Sequence, residues 1–207
     1  MIKRTKGRLL LTLLVITGLA GTINNTALDK QERKFAVMQL KNTRADLLKS
    51  VKDLSDAQLN FKPASNKLSI KECIFHINTV ENTLWGLLNN KMKTPSDPEK
   101  RSAITLTDVG LLNNLDSRHH RIEIAEKLQP EKDSWLSTAE ALDDFKEMRN
   151  DHLKYVKTTT EDLRNHPVEM PFGWIDSYQL ILFIAGHTNR HIQEIEEIRS
   201  NPSFPKN

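Results

Sequence analysis

Cysteine is nearly absent from this sequence. Cys73 is the only cysteine among 207 residues, so one molecule has no internal disulfide and no Cys-x-x-Cys pair for redox chemistry or zinc binding. The chain also has no Walker A loop, no G-x-G-x-x-G turn and no G-x-S-x-G elbow. It therefore carries no motif for phosphate-loop nucleotide binding, dinucleotide binding or serine hydrolase chemistry.

Glycine and proline are also scarce, at seven and eight residues. No runs of alternating β-branched residues appear, and Leu, Glu, Lys, Gln and Asn dominate the composition, which favours helices. At this length, with 38% hydrophobic residues, the chain can bury one sizeable core. We predict a single all-α domain.

Acidic residues are missing from the first 28 positions, where Lys3, Arg4, Lys6 and Arg8 precede an apolar run from Leu9 to Ala20. This run is shorter than the roughly 20 residues that span a bilayer, and small residues lie at its end, at Gly18, Ala20 and Gly21. Residues 1–21 therefore read as a secretory signal peptide, and an uncleaved anchor is the alternative. We expect an exported protein with no stable membrane span after cleavage.

The four basic residues of this segment account for the net charge of +3. Without them the chain is close to neutral and has no dense basic stripe, so we expect no nucleic-acid partner. Residues 22–30 read as a polar tether, 31–200 as the folded domain and 201–207 as a tail.

Apolar residues recur at helical spacing in five segments. A first helix is predicted from Gln31 to about Leu54, and a second is opened by the Ser69–Glu72 capping box and runs to about Asn89. A third is predicted from Thr107 to Leu128, a fourth after the Ser137–Glu140 cap, and a last one from Asp176–Ser177 to Ile198. The segments between them read as loops. We predict an up-and-down four-helix bundle with an extra helical segment.

Histidines occupy inward positions on two of these helices. His187 and His191 are at positions i and i+4 of the last helix, so both imidazoles project from one face. His76 lies on the apolar face of the second helix, with Cys73 one turn before it. Three inward imidazoles can hold a divalent cation and leave a coordination position open. Histidines satisfied by other core groups are the alternative.

Arg149 and His152 lie on the apolar face of the fourth helix. They are candidates for a substrate pocket or for the surroundings of a metal, and Arg149 is a weak catalytic candidate. Either side chain could equally be a buried polar group that is satisfied within the bundle.

Three stretches together resemble the DinB-like superfamily of helical-bundle metalloproteins, which includes YfiT-like hydrolases and bacterial thiol-dependent transferases. They are Leu54-Ser-Asp-Ala-Gln-Leu-Asn-Phe-Lys-Pro63, Leu68-Ser-Ile-Lys-Glu-Cys-Ile-Phe-His76 and His187-Thr-Asn-Arg-His191. The resemblance covers residues 31–199. It implies that His76, His187 and His191 bind a divalent metal, typically zinc or nickel, and that the bundle can pair into a homodimer.

Glu194 departs from this family pattern, in which many members have glutamine. Its carboxylate could orient His191, accept a proton, join the metal ligands, or simply be an exposed charge, so Glu194 is a weak catalytic candidate.

The leading functional expectation is a hydrolase that activates water and acts on an unidentified small molecule. Thiol-dependent S-transfer is less compatible with export, since the low-molecular-weight thiols are made and kept reduced in the cytoplasm. A bundle that only stores a metal or binds a ligand is the non-enzymatic alternative. A fourth protein ligand, Glu194 or Cys73, would favour that alternative.

Overall fold

The computed structural model describes residues 26–116 and 135–206. Helices dominate it, and four long ones form the bundle, with two short helices and one β-hairpin between them. The elements are α1 (Lys30–Ser50), α2 (Asp56–Asn60), α3 (Ile70–Met92), α4 (Asp108–Asp116), α5 (Thr138–Thr158), β1 (Pro167–Met170), β2 (Gly173–Asp176) and α6 (Ser177–Arg199). Two 3-10 turns span Pro98–Ala103 and Leu163–Asn165.

Side chains that cap the helix ends explain where the long helices begin. The predicted capping box at α3 is confirmed, because Ser69 Oγ accepts from the Glu72 amide and Glu72 accepts from the Ser69 amide. Asp176 caps α6 in the same way with Gln179. These contacts satisfy amide groups that have no partner inside a helix. The third predicted helix is present from Asp108 to Asp116, and its predicted continuation to Leu128 lies outside the described residues.

The order of helix directions differs from the predicted up-and-down arrangement. The helices share two apolar clusters, and α1 and α6 run from the first cluster to the second, while α3 and α5 run from the second to the first. Consecutive bundle helices α3 and α5 are therefore parallel. The connection between them, residues 93–137, is long enough to return along the bundle, whereas an up-and-down order requires short loops. The prediction of an up-and-down bundle is wrong on this point.

The all-α prediction is also incomplete, because β1 and β2 form an antiparallel hairpin in a segment that we interpreted as a loop. Val168 pairs with Ile175, and both are buried. Gly173 has a φ of 121°, which glycine tolerates and other residues rarely adopt. The prolines suggested an irregular segment, but one of them opens β1 and the other lies in the turn, where proline is compatible with a hairpin.

The folded domain reaches beyond both of its predicted ends, because residues on either side pack against it. Leu28 is 5% exposed and belongs to the first apolar cluster, although we assigned it to a tether. At the other end, Phe204 packs edge-on against Phe61 with ring centroids 5.6 Å apart, and Gln58 Nε2 donates to the Pro205 carbonyl at 3.0 Å. The predicted tail is therefore part of the fold.

An arginine outside the helices fixes the start of α6. The Arg164 guanidinium donates to Glu32 on α1 and Asp108 on α4, and to Asp176, the cap of α6, at 2.6 to 3.0 Å. These bonds tie three elements to one group and set where α6 enters the bundle. None of the helices within the described ranges is both long and apolar enough to cross a membrane.

A polar layer separates the two apolar clusters. Along α5, Phe145 belongs to the second cluster and Val156 to the first, with Arg149 and His152 between them. Along α6, His187 and His191 lie between the last residues of the first cluster and the first residues of the second. Arg149, His152, His187 and His191 therefore lie at mid-height in the bundle, between two hydrophobic halves.

Candidate metal centre

The structure brings His76, His187 and His191 together. The ring centroid of His76 lies 5.2 Å from that of His187 and 4.7 Å from that of His191, and the last two are 4.6 Å apart. One nitrogen from each of the three rings lies within 4.8 Å of the others. The three histidines that we selected from sequence thus form one cluster, contributed by α3 and α6, with donor atoms close enough to hold one cation.

Glu194 determines which nitrogen of His191 faces the cluster. Its Oε2 lies 3.0 Å from His191 Nδ1, and because a carboxylate can only accept, Nδ1 carries the proton. In the neutral ring the lone pair is then on His191 Nε2, which lies 3.2 Å from His187 Nε2. A carboxylate that holds a histidine ring in this way is the usual support of a metal ligand.

Burial keeps two of the imidazoles uncharged. His187 is 4% exposed, and burial, followed by the nearby His191 and His76, lowers its pKa well below the usual value. Burial and then His191 lower the pKa of His76 to about 4, although Glu194 acts in the opposite direction. Both rings are therefore neutral at pH 7, which is the form of histidine that binds metals.

An unsatisfied nitrogen indicates that a partner belongs in the cluster. His76 Nδ1 is buried and has no hydrogen-bond partner within the described parts of the chain. Leaving such a group unpaired costs free energy, and buried polar groups in folded proteins are almost always satisfied. A divalent cation would meet three imidazoles, of which His76 and His187 are neutral and His76 has an unpaired nitrogen, so the donor set fits a metal of the zinc or nickel kind.

Two further donors lie beside His191. Cys73, Glu194 and His191 form a second group whose candidate ligand atoms all lie within 4.8 Å of one another. Cys73 is fully buried on α3, one turn before His76. The two residues that we named as possible fourth ligands are therefore both adjacent to the cluster.

Arg149 belongs to a different buried network. Its guanidinium is fully buried and donates to Glu81 Oε2 at 2.6 Å, Thr43 Oγ1 at 2.9 Å and Thr188 Oγ1 at 2.9 Å. His152 Nδ1 lies 2.8 Å from the other oxygen of Glu81. These bonds connect α1, α3, α5 and α6, and they favour the structural alternative for Arg149 and His152, although Arg149 Nε has no hydrogen-bond partner among the described residues. A catalytic role for Arg149 stays a prediction.

Glu81 was missed in the sequence analysis. It is 2% exposed and lies among Ile77, Val80 and Leu84 on the apolar face of α3. An acidic residue within an apolar stripe is rarely buried without a partner, so its position was a signal for an ion pair. The partner could not be identified from sequence, because the pairing depends on how α3 and α5 pack.

The fold and the histidine cluster define a helical-bundle protein with a candidate metal centre between two helices. A family model described as the DinB superfamily matches residues 39–195, a range that includes all three histidines and Glu194. The chain therefore belongs to the DinB superfamily, and the family prediction from sequence is confirmed.

Two bacterial proteins are similar to this chain. Uncharacterized protein YuaE of Bacillus subtilis (strain 168) is 26% identical over 159 residues, which cover 75% of this chain and 92% of that protein. The solved structure of YfiT from Bacillus subtilis, described as a probable metal-dependent hydrolase with an unusual four-helix bundle topology, aligns with a TM-score of 0.61 and 14% identity. The alignment covers 86% of this chain and 92% of YfiT. At this identity the likeness shows a shared fold.

Replacing Arg149 tests whether the buried network is structural. Arg149→Met leaves the Glu81 carboxylate buried without its cation, so we expect a loss of about 3 to 5 kcal/mol in the free energy of unfolding. Arg44→Met is the matched control, because Arg44 bonds Asn150 near the surface at 2.7 Å, and it should cost less than about 1 kcal/mol. Urea unfolding of both variants measures the difference. Equal losses would contradict a structural role for Arg149.

Proposed function

We propose that this protein is a divalent-metal-dependent enzyme, with a hydrolase that activates water as the leading reaction type. The observation that carries the proposal is the convergence of His76, His187 and His191, with His76 Nδ1 buried and unpartnered among the described residues. Membership of the DinB superfamily and the fold shared with YfiT, a probable metal-dependent hydrolase, support it.

The three imidazoles would hold the cation, and zinc or nickel suits their nitrogen donors. A divalent cation supplies a Lewis acid that makes water a competent nucleophile at neutral pH. Glu194 keeps the proton on His191 Nδ1 and so directs the Nε2 lone pair into the cluster. The apolar residues on both sides of the polar layer limit the access of bulk water and keep the imidazoles of His76 and His187 neutral.

Two other functions are the alternatives. Thiol-dependent S-transfer is known within the superfamily, but export would separate the protein from cytoplasmic thiols. A non-catalytic metal site is favoured by the position of Cys73 and Glu194 beside His191, because structural zinc sites usually have four protein ligands. Open coordination positions would favour the enzyme.

Metal analysis of purified protein tests the site. After incubation with zinc or nickel and removal of excess metal, the wild type should retain one equivalent and His187→Ala/His191→Ala should retain none. His166→Ala is the control, because the imidazole of His166 contacts two backbone carbonyls outside the cluster, and it should bind metal like the wild type. Inductively coupled plasma mass spectrometry gives the stoichiometry.

Thermal melts of the same proteins provide a second readout. Metal at about 100 times the dissociation constant should stabilise the wild type by about 2.7 kcal/mol and leave the double variant unchanged. A wild type that binds no metal, or a double variant that keeps a full equivalent, would overturn the proposed metal site.

The role of Glu194 is tested by metal affinity. Removing a carboxylate that orients a ligand typically weakens metal binding by about 10-fold to 100-fold, and we expect a loss in this range for Glu194→Ala. Glu194→Gln should lose less, because its amide oxygen can still accept from His191 Nδ1. Glu196→Ala, an exposed neighbour on α6, is the control. Competition with a chromophoric zinc chelator measures the affinities, and wild-type affinity in Glu194→Ala would contradict a role for Glu194 in orienting His191.

Export is part of the proposal, because it bears on the choice between water and thiols. The full-length chain, produced in a bacterial host, should appear outside the cytoplasm as a protein that begins near residue 22. Cell fractionation and intact mass measurement test this. Protein that stays in the cytoplasm and retains Met1 would contradict export.

A further inference from the structure

Helix α4 lies along α6 and is attached to it at both ends. At the start of α4, Gln179 Nε2 donates to Asp108 Oδ1 at 3.1 Å, and at its end Asn189 Nδ2 donates to Asp116 Oδ1 at 2.7 Å. The residue numbers increase together from one contact to the other, so the two helices run in the same direction. Contacts at both ends leave α4 little freedom to slide along α6 or to tilt away from it.

A glycine lies between these two ends. Gly186 is an interior residue of α6, where glycine is destabilising relative to alanine. A Cβ atom at this position would lie 2.6 Å from Leu115 Cδ1, 3.1 Å from Leu112 Cδ2 and 3.3 Å from Leu115 Cβ. Carbon atoms in ordinary contact are about 3.5 to 4.0 Å apart. The glycine therefore permits an approach of α4 to α6 that a larger residue would obstruct.

Rotation of one leucine side chain cannot relieve this crowding. Leu115 is 1% exposed and belongs to the first apolar cluster, so its side chain has no free space to turn into. Its Cβ moves only with the backbone, and this atom is already 3.3 Å from the added carbon. Gly186→Ala would therefore push α4 and α6 apart by several tenths of an ångström.

The turn of α6 that contacts α4 also carries two of the candidate metal ligands. His187 follows the glycine directly, and Asn189 and Arg190 lie between His187 and His191. Asn189 bonds Asp116, and Arg190 donates to a backbone carbonyl of α4 at 3.3 Å. The two histidines project from a different side of the same turn, toward α3. Because α4 is attached at both ends, part of any displacement between the helices must be taken up by this turn.

A metal site tolerates less displacement than an apolar contact does. Zinc–nitrogen bonds are about 2.0 to 2.1 Å long, and a competent site keeps its ligand distances within about 0.2 Å of the usual values. His187 Nε2 and His191 Nε2 lie 3.2 Å apart, close to the separation of about 3.3 Å that two such bonds give at a tetrahedral angle. A shift of this turn by several tenths of an ångström relative to His76 exceeds that tolerance.

We propose that the docking of α4 on α6 sets the affinity of the histidine cluster for its metal, with Gly186 as the positioning residue that permits the close approach. The inference rests on the proposed metal centre and adds a controlling element outside its ligands. Gly186 acts only through His187 and His191. The coupling is reciprocal, because a metal that binds more tightly when α4 is docked must also favour the docked position of α4.

Substitution of two helical glycines tests the proposal. Gly186→Ala should weaken zinc binding by about tenfold or more, as is typical when the support of a metal ligand is lost. Gly86→Ala is the matched control, because Gly86 lies in α3, the other ligand helix, and a Cβ there would meet no atom within 4 Å. Competition with a zinc chelator measures both affinities. The visible spectrum of the cobalt-loaded protein, which reports ligand geometry, should change in Gly186→Ala and stay unchanged in Gly86→Ala.

A compensating substitution separates positioning from general destabilisation. Leu115→Ala removes Cδ1, the atom closest to the added carbon. The double variant Gly186→Ala/Leu115→Ala should therefore bind zinc more tightly than Gly186→Ala alone. A merely structural role predicts the opposite order, because Leu115→Ala also removes buried apolar surface and weakens the fold.

The unmodified protein provides a test that does not depend on how a variant folds. Zinc should slow the hydrogen exchange of the α4 amides from Leu111 to Asp116 by a factor similar to the affinity change, about tenfold or more. The amides of α2, a short helix that packs at the second apolar cluster, serve as the reference and should be unchanged.

The results distinguish this inference from the metal centre itself. Wild-type zinc affinity in Gly186→Ala, weaker binding in the double variant than in Gly186→Ala, or α4 exchange that zinc does not slow would overturn the role of α4. Each of these results would leave the proposed metal centre intact. A wild type that binds no zinc would overturn both.

Discussion

The ion pair between Arg149 and Glu81 is the interaction on which the rest of the bundle depends. It lies in a layer with no access to water, and the bonds of Arg149 to Thr43 and Thr188 extend it to all four long helices. A shift of α3 or α5 by one turn would leave a buried charge without its partner, which is strongly unfavourable, and a shift of α1 or α6 would remove a hydroxyl acceptor of Arg149. The pair therefore favours one register of the helices. Because Thr188 follows His187 directly, the same bonds fix the segment of α6 that carries the histidines.

The histidine cluster follows from this register. Once α3 and α6 are fixed against each other, His76 meets His187 and His191 in a water-poor layer, where burial keeps two of the rings neutral. The same burial leaves His76 Nδ1 unpaired among the described residues, a cost that a bound cation would offset. Whether such a cation keeps an open position for water or is enclosed depends on Cys73 and Glu194, which both lie beside His191.

Local features were predictable from the sequence, and features set by packing were not. The capping residues and the inward faces of α3 and α6 depend on neighbours within one helix, so residue spacing placed His76, His187 and His191 inward, and the family resemblance implied that they bind a metal. The direction of α5 relative to α3 depends on how the long connection between them crosses the bundle. The partner of Glu81 depends on how α3 and α5 pack against each other. The hairpin was missed because Pro167 and Pro171 are as compatible with its first strand position and its turn as with a loop.

The most direct measurement is X-ray absorption at the zinc edge of the zinc-loaded protein, since it reports the atoms bound to the metal. The proposed site predicts nitrogen neighbours at about 2.0 to 2.1 Å from three imidazoles, with an additional oxygen neighbour and no sulfur. A sulfur neighbour at about 2.3 Å would place Cys73 on the metal and favour a closed, structural site. Spectra without imidazole scattering would contradict the central claim that His76, His187 and His191 form the metal centre.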